Sequence, residues 1–145
     1  MSISPEARFI DLFKQIGRLP IVHLPEEVEL SVSAVALLLW VSRSPGCGVL
    51  DIAKGLHLSP PTISVGTHRL AKGGWLERCK DPQDRRSRPL YLTAKGEKLI
   101  QRVREHRTQM LRIFLSGLTL DEQELLMNLL ERAVGAMEES IVGQS

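Results

Sequence analysis

Apolar residues recur at helical spacing along most of this 145-residue chain. Ser4-Pro5 reads as a helix start, with Ser as N-cap and Pro at the first helical position. Phe9, Ile10, Leu12, Phe13 and Ile16 then form one apolar stripe and predict a helix to about Arg18. Leu19 to Leu30 contains Pro20 and Pro25 and predicts no regular element. Ser31 or Ser33 caps a second helix through Ser42, apolar almost all round and therefore buried, with Trp40 as a core residue. Ser44-Pro45-Gly46-Cys47-Gly48 is a turn cluster that would leave Cys47 exposed, and a short helix follows over roughly Leu50 to Leu56. Ser59-Pro60 opens another helix, which Gly73-Gly74 stops.

The period then changes. Trp75 to Lys80 and Leu90 to Thr93 suit short strands, joined by a turn-rich basic loop over residues 81–89. From Thr93 a long helix runs to about Ser116. Its Leu99, Val103, His106, Met110 and Ile113 are spaced 4, 3, 4, 3, a seam for a partner helix. Thr119 and Glu122 form a capping box for a last helix with Leu126, Leu129, Leu130, Ala133, Met137 and Ile141 on one face. The fold predicted is mainly α with a small β-hairpin wing: four helices, a hairpin, two helices.

Composition places the chain among globular proteins, with 43% hydrophobic and 25% charged residues. Its longest apolar run, Ala34 to Val41, is eight residues, where a membrane-spanning helix needs about 20. No secretory signal is visible, and two cysteines are too few for a disulfide scaffold or a thiolate zinc site, so a reducing cytoplasm is the expected setting. The four histidines show no ligand spacing, and neither metal nor cofactor is expected. Net charge is only +2, but residues 69–112 carry 13 Lys/Arg against 5 Asp/Glu, net +8. The flanking segments, 1–68 and 113–145, are net −1 and −5. One basic block between neutral and acidic ones suits a polyanion.

Two short helices joined by a tight turn and followed by a basic hairpin make a winged helix-turn-helix. On the second helix Ile63, Gly66, Thr67 and Leu70 share one face and should pack inward. Ser59 caps it, and Pro61, Thr62, Ser64, Val65, His68, Arg69 and Lys72 lie on the remaining surface. Such a face can enter a major groove, where the helix dipole also favours phosphate. Arg85, Arg86 and Arg88 crowd the wing tip, suited to the negative potential of a narrow minor groove, with Asp84 placed to pair with Arg86.

These residues resemble a family. Thr62-Ile-Ser, Arg69-Leu, Gly74-Trp-Leu-Glu-Arg78, then Asp81-Pro-Gln-Asp84-Arg-Arg-Ser87, Leu90-Tyr-Leu-Thr93 and Gly96 are similar to the MarR family of bacterial transcription regulators. The resemblance covers nearly the whole chain. It implies one domain over 1–145, with a DNA-binding lobe at 31–93 and helical dimerisation regions at 1–30 and 94–145. It implies a homodimer that binds double-stranded DNA at a pseudo-palindromic operator, most simply a repressor, with no membrane partner. Carried over by position, Ser59, Pro61, Thr62, Ser64, Val65, His68 and Arg69 fall on the recognition helix, and Asp84, Arg85, Arg86, Ser87 and Arg88 on the wing. Phe9, Phe13, Val103, His106, Met110, Ile113, Leu126, Leu130 and Met137 fall on the dimer interface. A small aromatic or phenolic ligand is implied in a cleft between the dimer helices and the DNA-binding lobe. The chain departs from the pattern at Val65, often a basic residue in the family, and at Gly66, often a large aliphatic.

Two other readings compete. A thiol-based redox sensor would use Cys47 or Cys79, the latter between Arg78 and Lys80. From another class stand a winged-helix protein-interaction module and a Cys/His enzyme. No nucleophile elbow, phosphate loop or HExxH motif supports catalysis, and an interaction module has no need of three arginines on its wing.

Overall fold

The computed structural model describes residues 2–84 and 88–144, with Val22 described by its backbone alone. Helix α1 (Pro5–Gly17) is followed by a 3-10 turn (Pro20–Val22). Then come α2 (Val32–Arg43), α3 (Val49–Leu56), α4 (Pro60–Lys72), strands β1 (Leu76–Arg78) and β2 (Leu90–Leu92), α5 (Ala94–Leu115) and α6 (Leu120–Val142). The mainly helical class with a hairpin wing is the one observed. Two compact units emerge, residues 1–107 and 108–145, and α5 passes from one to the other.

The first unit is built on one apolar core. Val35, Leu38 and Val41 of α2 meet Ile52 of α3, Ile63 and Leu70 of α4, Leu76 and Leu90 of the strands, and Ile100 and Val103 of α5. Val103 has no exposed surface. It was expected at a seam with a second protomer, and that expectation is corrected: the side chain is enclosed by its own core, as is Leu99. Only the later seam positions reach the surface, with His106 and Met110 half-buried and Ile113 exposed.

The strands pair antiparallel, with Leu76 opposite Leu92, Glu77 opposite Tyr91 and Arg78 opposite Leu90. A third segment joins them where only a turn was expected. Gly46 N–H donates to the Leu90 carbonyl (2.8 Å) and Leu90 N–H to the Cys47 carbonyl (3.0 Å). Cys47 is therefore buried against β2, which corrects its expected exposure.

The joints between elements are closed by backbone geometry. His57 ends α3 in the left-handed region at φ 54°, with its N–H on the Lys54 carbonyl and Leu58 N–H on the Ala53 carbonyl. Gly74, at φ +80°, ends α4 in the same way. The start of α5 is then fastened to that turn. Thr93 Oγ1 donates to the Gly74 carbonyl, Lys95 Nζ donates to the Gly73 carbonyl (2.9 Å), and the same ammonium lies 4.0 Å over the Trp75 ring.

The segment over residues 19–30 is tied down as well. Its Leu24, Val28 and Leu30 pack against the core, and Arg102 pairs with Glu27 at 3.7 Å. In contrast, α1 buries none of its side chains. Phe9 and Phe13 stack on each other with ring centres 6.4 Å apart, both largely exposed. In the second unit, Gln123 Nε2 donates to the carbonyls of Leu115 and Leu118, and the Thr119–Glu122 capping box forms as expected. Leu129, Leu130, Val134, Met137 and Ile141 of α6 are exposed, and Leu126 is half-buried.

Candidate nucleic-acid interface

Helix α4 takes its orientation from its buried stripe. Ile63, Thr67 and Leu70 are buried and Gly66 is half-buried beside them. Leu37 Cδ1 lies 2.7 Å from where a Gly66 Cβ would stand, so a side chain there would require the end of Leu37 to move aside. The opposite surface stands clear. Ser59, Pro61, Thr62, Ser64, Val65, His68, Arg69 and Lys72 are all exposed, as the periodicity predicts.

The first turn of α4 is heavily occupied. Ser59 Oγ accepts the Thr62 N–H (3.3 Å) and lies 2.7 Å from Thr62 Oγ1. Ile63 N–H donates to the Ser59 carbonyl (3.1 Å). Pro60 and Pro61 carry no N–H. The helix start was expected to favour phosphate; its dipole does, but the donors that would grip an anion are missing or engaged.

Arg78 ties the wing to this helix. From β1 its Nη2 donates to Thr67 Oγ1 (2.9 Å) and reaches the Ser64 carbonyl (3.4 Å), to which the Thr67 hydroxyl also donates (3.1 Å). Sequence reasoning places Arg78 in a motif but gives it no role. The signal is Thr67: a hydroxyl on the inward face of a helix has to find a partner. Farther along the wing, Asp84 and Arg88 are exposed. Arg85, Arg86 and Ser87 lie outside the described residues, and so does the expected Asp84–Arg86 pair.

Beside α4 runs an open groove of about 1050 Å³, floored by Leu37 and Leu58 and edged by Val32, Pro61, Val65 and Arg69. Trp40 lies elsewhere, half-buried, its ring packed where a side chain on Gly55 would be, which fits a packing role. Among the described residues no cluster of three or more His, Cys, Asp or Glu could hold a metal, and no helix is long and apolar enough to cross a membrane.

The thiol reading finds no support. Burial, and secondarily the charge of Asp51, pushes the Cys47 thiol up, so it holds its proton and is a poor nucleophile. Cys47 and Cys79 flank opposite edges of β2. Two strand spacings, about 10 Å, separate them, more than the roughly 7 Å a disulfide spans between Cα atoms.

Paired helices, a tight turn and a wing on one core define a winged helix-turn-helix protein. A model of the MarR family matches residues 30–87. The transcriptional regulator HosA of Escherichia coli O111:H- is 27% identical over 108 residues, covering 74% of this chain and 80% of HosA. The PcaV transcriptional regulator of Streptomyces coelicolor is 27% identical, with a TM-score of 0.68 over 94% of this chain and 99% of its own. Streptococcus pneumoniae FabT, solved in complex with DNA, shares the fold at 18% identity, with a TM-score of 0.75 over 92% of this chain and 95% of its own. Residues 30–87 thus carry a MarR-family match, and the chain is similar over most of its length to transcriptional regulators.

Proposed function

We propose that this regulator binds double-stranded DNA as a homodimer, each protomer setting α4 into a major groove and its wing against the adjacent minor groove. The carrying observation is the exposed face of α4. Thr62, Val65, His68 and Arg69 stand clear on a helix whose other side is locked into the core. The net charge of +8 over residues 69–112 supplies the attraction to phosphate. FabT, which shares the fold, was solved with DNA bound.

Uncovered apolar side chains support the two-fold dimer. Phe9 and Phe13 of α1, Ile113 with the half-buried His106 and Met110 of α5, and Leu126, Leu130 and Met137 of α6 are the dimer-forming set. The operator is then a pseudo-palindrome with half-site centres about 10–10.5 base pairs apart, or a multiple. The protein acts as a repressor released by a small aromatic or phenolic ligand. PcaV has been solved with its natural ligand, and the apolar groove beside α4 offers such a molecule room.

Duplexes selected from random DNA by the full-length protein test the reading, with affinity followed against salt. The expected result is tight, salt-dependent binding to a two-fold sequence. Replacing Arg85, Arg86 and Arg88 with Ala should flatten the log–log slope by about 0.9 for each phosphate no longer neutralised. A slope unchanged in the triple variant would show that the wing does not meet DNA. Ligand action is tested by calorimetry: linkage requires that bound operator weaken a true inducer by the factor by which the inducer weakens operator.

A further inference from the structure

Resting on that DNA-binding reading, we infer that α4 selects thymine through an apolar ridge formed by Pro61 and Val65. Three observations converge on it. First, the helix start cannot read by its backbone. Pro60 and Pro61 lack N–H groups, and the N–H groups of Thr62 and Ile63 are bonded to Ser59. Whatever α4 recognises, it recognises with side chains.

Second, the side chains at the centre of its outward face are hydrocarbon. Pro61 and Val65 are four residues apart, one above the other on the helix. Both are exposed, Val65 by 54%. Their shapes are fixed, by the proline ring and by branching at the valine Cβ, so docking them orders little that was free. More than half of Val65 is left uncovered in the free chain, and that part gains only when something apolar covers it. In the major groove that surface is the thymine C5-methyl, the one apolar feature of a base edge.

Third, polar groups flank the ridge without interrupting it. Of the two hydroxyl protons on Ser59 and Thr62, one closes the 2.7 Å bond between them and the other is left to donate outward. His68 and Arg69 lie on the far side. The ridge separates thymine from cytosine by its methyl, and the flanks fix register.

The test starts from the duplex selected by the full-length protein. Each thymine is replaced in turn by uracil, which removes only the methyl. One or two positions per half-site should each lose affinity about fourfold, the worth of one buried methyl. Changing the thymine–adenine pair there to cytosine–guanine should weaken binding, and 5-methylcytosine at that place should recover part of the loss. Val65→Ala, an exposed change to a better helix former, should bind thymine and uracil duplexes alike at the position it reads. Uracil tolerated everywhere by the unaltered protein overturns the inference, and so does a uracil penalty that persists unchanged in Val65→Ala. Neither result touches the broader reading, which fails if no duplex is bound in a salt-dependent way.

Discussion

At φ 54°, His57 occupies the left-handed region, where a side chain meets its own carbonyl. Its exposed ring takes no part in the core. Glycine enters this region freely, so His57→Gly should stabilise the fold by about 1 kcal/mol. The gain should appear as a rise in thermal midpoint of about 2–4 °C; a fall would mean that the ring is held by something that matters more than backbone strain. Cys47 makes a pH prediction. Burial raises its thiol pKa above that of the unfolded chain, so the folded protein holds the proton longer. The associated stability is complete below the ordinary thiol value of about 8.5 and is lost as pH climbs through the folded value. Urea unfolding between pH 7 and 10 should show this decline, and Cys47→Ala should flatten it. An equal decline in the variant would place its origin in another group.

At the scale of elements, what the sequence makes legible is what depends on neighbours along the chain. The two faces of α4, its stop at Gly73-Gly74, the Thr119–Glu122 cap and both strands follow from spacing and local hydrogen bonding. Spacing shows which face is apolar but not whose surface covers it. Leu99 and Val103 lie on the same 4-3 pattern as Ile113, yet the first two enter the core of their own chain and Ile113 faces outward. Cys47 is another case, because its bridge partner Leu90 is distant in sequence. Arg78 is a third: its role exists only once β1 lies beside α4. Replacing Arg78 with Ala should remove about 1–2 kcal/mol of stability, the range for a hydrogen bond to a charged group discounted for partial exposure, read by chemical denaturation. DNA affinity should fall further than stability alone explains, since helix and wing then lose their shared register. Affinity unchanged in a folded Arg78→Ala protein would show that the core alone sets that register.

At the scale of the whole molecule, the proposed homodimer rests on the hydrocarbon that one copy leaves uncovered. Phe13 is 68% exposed on α1 and Met137 65% exposed on α6, each among other exposed apolar residues. Sedimentation at micromolar concentration should give twice the 16.2 kDa chain mass. Phe13→Glu or Met137→Glu should shift the equilibrium toward monomer and weaken operator binding. A wild-type chain sedimenting stably at 16.2 kDa would remove the dimer and the palindrome together. The fastening of α4 has a consequence for regulation at this scale. Arg78 pins its middle to the wing, while Thr93 and Lys95 pin its end to α5. The reader is thus a stamp whose type cannot be reset, only lifted or moved. The proposed inducer, acting on the proposed dimer, would alter how far apart two stamps fall, but not the letters each one prints. Sequences selected with inducer should keep the same half-site and change only in the number of base pairs between halves.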